Sequence, residues 1–120
     1  MNGEKIRNFK DLLIWKEGVN LVEKIYQVTK SFPKEELYGI TAQIRRAAIS
    51  IPSNISEGFM RKHNKEFKQF LFIALGSNAE VETQLIISNR LGYLKSEQLS
   101  QLEEVIDKIN KMTMSLIKKL

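Results

Sequence analysis

The amino-acid sequence predicts an all-α protein: an antiparallel up-down-up-down four-helix bundle that forms one domain over residues 1–120. Long segments repeat apolar side chains every three or four positions, and none alternates as a β-strand does. Helix breakers are scarce, with six Gly and two Pro in 120 residues. Phe32-Pro33, the polar run 61–64 and Gly92 divide the chain into four helical segments with short connections, which is the pattern of a bundle.

The first and last helices each show one apolar side. The first is predicted over about residues 11–31, with Asp11 as its N-cap. Its predicted core side consists of Trp15, Val19, Val22, Tyr26 and Thr29. The fourth is predicted over about residues 96–118, and its other side is charged or amidic. Its predicted core side consists of Leu99, Leu102, Ile106, Ile109, Thr113, Leu116 and Leu120.

The second helix is predicted over about residues 36–61, with its start left open between Lys34 and Thr41, and it contains a proline. Its predicted core side consists of Ile40, Ile44, Ala47, Ile51, Ile55 and Gly58. Because Pro52 has no N–H, it removes the hydrogen bond to the Ala48 carbonyl and is expected to kink or split the helix. The Ser53 or Asn54 side chain, or a ligand, is expected to satisfy the freed carbonyl.

The opposite side of the second helix carries a polar stripe, made of Arg46, Ser50, Asn54, Glu57 and Arg61. One interpretation is a solvated face with a Glu57–Arg61 pair. The other is a network with polar residues of the third helix that large apolar side chains flank, namely Ser77, Glu80 and Gln84. Since buried polar groups need partners, we favour a structural network that includes Arg46, Asn54, Glu57, Ser77 and Glu80.

The third helix is predicted over about residues 64–91, from Asn64 as N-cap to Gly92 just beyond its end. It is apolar on nearly every side, whereas each helix of a four-helix monomer keeps one side in solvent. The pattern therefore predicts that part of this helix contacts another subunit. The alternative is that long loops or the N-terminal arm, with Ile6 and Phe9, cover it.

The residue types argue against catalysis. The chain has no Cys and one His, which excludes disulfides, thiolate metal sites and thiol catalysis. His63 has no Glu three residues before it, as a di-metal bundle requires, and no Gly-rich phosphate loop is present. We therefore expect no enzymatic activity, no metal and no cofactor.

The longest apolar run has six residues, 70–75, against about 20 needed to span a bilayer, so a cytoplasmic protein without membrane contact is expected.

The charge is basic, with a net +5 at pH 7 and a pI near 9.5. The densest basic cluster lies between the second and third helices and supplies the candidate nucleic-acid-binding residues Arg61, Lys62, Lys65 and Lys68. Lys5, Arg7 and Lys10 near the start, and Lys118 and Lys119 near the end, add two more basic segments. Tyr and Phe do not interleave with the basic residues in the way that a base-stacking platform requires. The pattern thus favours phosphate contacts with weak sequence preference.

Three stretches of the chain closely resemble one known family. They are the run from Phe9 to Lys16, the run from Phe32 to Thr41, and the long block from Gln43 to Gly58; residues 67–82 continue the match. The family is the bacterial four-helix-bundle group encoded in intervening sequences of the large-subunit ribosomal RNA gene, often labelled a ribosomal-protein family. The resemblance covers about residues 9–92 and implies a bundle that assembles as a ring, a homopentamer in known relatives.

The resemblance also implies a link to nucleic acid, because accessory proteins of diversity-generating retroelements in this group bind a reverse transcriptase and nucleic acid. The leading hypothesis is therefore a basic, homo-oligomeric accessory protein that binds RNA or DNA through its phosphates. A ring would multiply the charge of each chain. The alternative is a scaffold that docks a protein partner, such as a reverse transcriptase or a ribosome-associated factor, with no direct nucleic-acid role.

Overall fold

A computed structural model describes residues 6–120, and these residues form four α-helices and no strand. The helices are α1 (Leu13–Thr29), α2 (Ile40–Met60), α3 (Asn64–Arg90) and α4 (Ser96–Lys119). Short 3-10 turns at Phe9–Asp11 and Lys34–Glu36 precede α1 and α2. Each helix packs against two others, in the cyclic order α1, α2, α3, α4, and the α2–α3 contact is the most extensive. The predicted all-α class with four helices is confirmed.

The core lies between the four helices and is built mainly from Ile and Leu. On α2 the predicted core side is confirmed, since Ile44, Ile51 and Ile55 are fully buried. On α4 the central part of the predicted side is buried, from Leu102 to Thr113, while Leu99, Leu116 and Leu120 are half-buried at its ends. Burial of this apolar surface is the main stabilising contribution to the bundle.

On α1 the predicted core side is displaced by a fraction of a turn: of its five residues only Thr29 is fully buried, while Trp15 and Val22 pack at the edge of the core. The buried residues are Ile14, Gly18, Leu21, Ile25 and Thr29. Trp15, Val19 and Val22 are half-buried, and Tyr26 is exposed. The reason is a close approach of α1 to α2: a Cβ on Gly18 would lie 3.3 Å from Cδ of Pro52. Since glycine has no side chain, hydrophobic periodicity does not register it as a core position.

Three helix starts also differ from prediction. Asp11 belongs to the 3-10 turn and does not cap α1, which begins two residues later after Leu12. The second helix begins at Ile40, within the interval left open for its start but later than residue 36, because a 3-10 turn and the non-helical Gly39 precede it. Asn64 is the first residue of α3, and the cap position is His63, whose side chain makes no capping hydrogen bond.

Helix α2 is continuous through Pro52, so the predicted split does not occur. The proline ring is buried and packs against Gly18. The Asn54 amide donates to the carbonyl of Ser50, at 2.7 Å, and not to that of Ala48. A bend at Pro52 stays a prediction.

The end of α3 is a Schellman motif, as Gly92 predicts. Gly92 has a φ of +84°, its N–H donates to the Asn89 carbonyl at 3.0 Å, and the N–H of Tyr93 donates to the Ser88 carbonyl at 2.9 Å. A side chain rarely adopts this left-handed conformation. The glycine therefore sets the point at which the chain turns towards α4.

Replacing this glycine is expected to destabilise the protein. Gly92→Ala forces a Cβ into the left-handed region, although nothing lies within 4 Å of it. The expected loss is about 1 kcal/mol in the free energy of unfolding, from strain alone. Denaturant unfolding checks this value, with Gly92→Asn as a control expected to lose less because Asn tolerates this region. An alanine variant as stable as the parent would contradict the assignment.

Candidate nucleic-acid interface

Three basic segments that are far apart in sequence meet at one end of the bundle. A groove there is lined by Arg7 of the N-terminal segment, by Lys62 and His63 between α2 and α3, and by Leu116 and Leu120 of α4. We call residues 6–16, 57–68 and 111–120 the basic end. The structure thus brings together the three basic segments that the sequence shows separately; Lys5 lies outside the described residues.

The basic end holds most of the positive charge of the described chain. It contains ten Lys and Arg against three Asp and Glu, whereas the rest of residues 6–120 contains eight Lys and Arg against ten Asp and Glu. The positive excess is therefore confined to one end, and the remainder is slightly acidic. Such a separation of charge produces a directional field that attracts polyanions.

The four predicted nucleic-acid-binding residues differ in how free their charges are. Arg61 is the most engaged: it pairs with Glu57 at 3.2 Å and with Glu66 at 4.0 Å. Lys62 and Lys65 are exposed and Lys68 is half-buried. Among residues 6–120 these three lysines make no ion pair. The charges of the three lysines are consequently more available to a bound phosphate than the charge of Arg61, which is already paired with carboxylates.

Lys62 occupies a conformation that favours glycine. Its φ is 67°, and its N–H donates to the Phe59 carbonyl at 3.4 Å, which ends α2 as a left-handed cap. A non-glycine residue there costs about 1 kcal/mol. The first N–H groups of α3 follow at once and have no side-chain cap, so their partial positive charge adds to the field.

Aromatic rings do lie beside the cations, which corrects the sequence-based statement that the two do not interleave. The Lys62 ammonium lies 5.3 Å from the ring centre of Phe59, and the Arg61 guanidinium lies 5.1 Å from that of Phe70. Phe59 also packs edge-on against Phe67, at 5.9 Å. The contact between Arg61 and Phe70 joins the end of α2 to α3, which linear spacing does not display. Phe59 and Lys62 are only three residues apart, so this pair is visible in the sequence and was overlooked.

The polar stripe of α2 forms a smaller network than predicted. Ser50 Oγ and Ser77 Oγ lie 2.9 Å apart, and the Asn54 amide donates to Ser50 Oγ at 2.8 Å. These three residues link α2 to α3. Arg46, Glu57 and Glu80 are exposed and stand outside this link. Glu57 bonds to Arg61, Glu80 accepts from Gln84 at 3.3 Å, and Arg46 has no hydrogen bond or ion pair within residues 6–120.

Helix α3 exposes several large apolar side chains in the single chain. Phe72, Ile73 and Ile87 are 53%, 52% and 44% exposed. The described part of the N-terminal arm, from Ile6 onwards, does not cover them, since Ile6 lines grooves at the basic end and Phe9 packs against Trp15 at 5.5 Å. By length and composition α3 is apolar enough to cross a membrane, a criterion that core helices of soluble proteins also meet.

Within residues 6–120, no group of three or more His, Asp or Glu is arranged to hold a metal ion.

Between α3 and α4, Glu82 faces two carboxylates of α4. Burial, a hydrogen bond with Glu103, and the charges of Glu103 and Asp107 raise the pKa of Glu82. Asp107 is itself paired with Lys111 at 3.1 Å. A raised pKa means that the folded state keeps this proton at a pH where the unfolded chain has released it.

Stability is therefore expected to rise as the pH falls through the window between the ordinary glutamate pKa of about 4.3 and the raised value. Glu82→Gln removes the repulsion, so it should raise the melting temperature at pH 7 and have little effect below pH 4, where Glu82 is protonated in both states. Thermal melts of both proteins over this range measure the difference. A gain that is the same at every pH would contradict the assignment.

Comparison with known proteins identifies the family and a similar helical fold. The family model described as 23S rRNA-intervening sequence protein matches residues 10–115. The chain is also similar to a crystal structure of a protein with unknown function from the S23 ribosomal protein family of Bacteroides thetaiotaomicron. The TM-score is 0.81 at 26% identity, over 88% of this chain and 99% of that one. No curated protein matches the chain. The chain belongs to the 23S rRNA-intervening sequence protein family.

Proposed function

We propose that this protein is a non-enzymatic, cytoplasmic accessory protein that assembles as a homopentamer and binds nucleic acid through phosphate contacts. The observation that carries the proposal is the basic end, where three segments place ten Lys and Arg against three Asp and Glu. Lys62 and Lys65 are exposed there, and Lys118 and Lys119 are exposed beside them at the end of α4. Flexible lysines bind phosphates as point charges and carry little sequence information.

Salt dependence tests this proposal. If several lysines neutralise phosphates, the logarithm of the association constant falls linearly with the logarithm of salt concentration, by about 0.9 for each phosphate on duplex DNA. Fluorescence anisotropy with labelled RNA and DNA between about 50 and 200 mM salt measures this slope. We expect a slope steeper than about −3 for either polymer. An affinity that hardly changes with salt would contradict phosphate binding.

The exposed apolar surface of α3 supports assembly. Phe72 and Ile73 lie in adjacent positions of one helix, and exposure of such side chains in a soluble chain is typical of a surface that another subunit covers. Native mass spectrometry tests the ring number: we expect an assembly of five times the 13.9 kDa chain. A stable monomer at micromolar concentration would contradict the ring.

Within each subunit we propose that the helices run alternately up and down as one domain. Two contacts between α2 and α3 support this arrangement. Gly58 packs against Phe70, and Ser50 bonds to Ser77. A lower residue number on α2 thus meets a higher one on α3, as in antiparallel neighbours.

A second candidate function is a protein-docking scaffold. The observation that favours it lies at the connection between α1 and α2, where Tyr38 is 92% exposed next to the exposed Leu37. Aromatic side chains of this kind are common anchors in protein interfaces. A protein partner that stays bound after nuclease treatment, and is lost with Tyr38→Ser, would support the scaffold. Loss of the partner upon nuclease treatment would favour the nucleic-acid role.

A further inference from the structure

The groove at the basic end combines an apolar floor with a cationic rim. Its volume is about 790 Å³, within the range of small-ligand sites. The floor contains Leu12, Phe59, Phe67, Leu116 and Leu120, and the rim contains Arg7 and Lys62. Phosphate binding alone does not require an apolar floor, because phosphates are held by cations and N–H groups.

The two halves of the groove match the two halves of a nucleotide. A nucleobase has an apolar π-face that stacks on aromatic side chains, and its phosphate is anionic. In a duplex the base faces are already stacked on their neighbours, so only an unpaired nucleotide presents both groups at once. The charge of the rim disfavours a cationic occupant and favours one that carries an anionic group such as a phosphate.

We propose that this groove binds an unpaired nucleotide of a single strand, with the base against Phe59 and the phosphate against Arg7 and Lys62. The inference rests on the proposed nucleic-acid function and specifies its ligand as single-stranded RNA or DNA. The Lys62 ammonium lies over the Phe59 ring, 5.3 Å from its centre, so a base that stacks on this face displaces the flexible ammonium to the edge of the ring. A phosphate attached to a base on that ring would therefore lie close to the same cation.

The preference for single strands is the first readout. Anisotropy titrations use one labelled strand of about 12 nucleotides, either free or annealed to its complement, at the same low salt. Stacking of one base contributes about 1–3 kcal/mol, so the single strand is expected to bind about 5- to 150-fold more tightly than the duplex. Equal affinities for the two forms would overturn the inference and leave phosphate binding intact. Failure to bind either form would contradict the proposed function itself.

Substitution of the aromatic floor is the second readout. Phe59→Leu keeps an apolar side chain and removes the ring, so it should lose the single-strand preference and leave duplex affinity within about twofold. Phe59→Trp should retain the preference, which keeps the test decisive if the leucine variant folds poorly. Tyr38→Leu, an aromatic substitution far from the groove in sequence and outside its lining, is the matched control and should change neither affinity.

A strand that carries 4-thiouridine locates the site directly. Ultraviolet irradiation should attach it to the peptide that contains Phe59, and attachment only to peptides outside the groove would overturn the inference.

Another possible occupant is a second copy of this chain. In that case Phe59→Leu would change the mass of the assembly and leave the strand preference unaltered, which would also overturn the inference.

Discussion

Neutralising three lysines of the basic end is expected to lower nucleic-acid affinity by at least about tenfold at low salt. The variant is Lys62→Gln with Lys65→Gln and Lys68→Gln. These side chains make no ion pair within residues 6–120, so their charges are available to phosphates. The salt slope is expected to become shallower by up to about 3, one contact for each lysine. Anisotropy titrations over a salt series measure both quantities.

The matched control removes the same charge elsewhere. Lys24, Lys30 and Lys34 are also exposed, and they lie outside the basic end, on α1 and the connection after it. Their replacement by Gln changes the net charge equally and is expected to affect affinity by less than about threefold, through the long-range field alone. Equal losses in the two triple variants would show that only net charge matters and would contradict a localised interface.

Gly58→Ala is expected to be the most destabilising small substitution in the helices. A Cβ at this position would lie 2.5 Å from Cβ of Phe70, 3.1 Å from its Cγ and 3.2 Å from Cδ1 of Phe67. Because the nearest atom is the first carbon of a side chain, a rotamer change does not relieve the contact, and the backbones of α2 and α3 must separate. The expected loss is about 1–3 kcal/mol in the free energy of unfolding, even after alanine's higher helix propensity is included.

Gly76→Ala is expected to have the opposite effect on the free energy of unfolding and serves as the comparison. Gly76 also lies inside a long helix, α3, but nothing lies within 4 Å of its added Cβ. The free energy of unfolding should therefore rise by about 0.5–1 kcal/mol from helix propensity. Urea unfolding of the two variants and the parent measures the contrast. If Gly58→Ala were as stable as Gly76→Ala, the close packing of α2 on α3 would be wrong.

The sequence pattern was sufficient where one side of a helix is plainly apolar. On α4 the spacing from Leu99 to Leu116 identifies the side that the structure buries or half-buries, and Gly92 marks the turn before it. The pattern was insufficient on α1. This helix approaches α2 at Gly18, and a glycine adds no apolar side chain to the pattern. Helix starts were missed where 3-10 turns precede the helix, since their residues are as polar as the predicted caps.

The candidate site was predictable only in part, for a similar reason. Each basic segment is visible in the sequence, and the cluster at residues 61–68 is the densest of them. Their meeting at one end depends on how the helices pack. Phe59 and Lys62 are three residues apart, so their proximity is visible in the sequence. The contact between Arg61 and Phe70 depends on the packing of α3 against the end of α2. Residue spacing along one helix does not encode contacts of this kind.

Lysine footprinting tests the central claim most directly, because it locates bound nucleic acid on the unaltered protein. Lysines are acetylated with and without saturating RNA, and the modification of each is measured by mass spectrometry. Lys10, Lys62, Lys65, Lys118 and Lys119 at the basic end are exposed, as are Lys30, Lys34 and Lys95 elsewhere. We predict that RNA protects the first group and leaves the second group reactive. Protection of both groups alike, or of the second group alone, would contradict a nucleic-acid interface at the basic end.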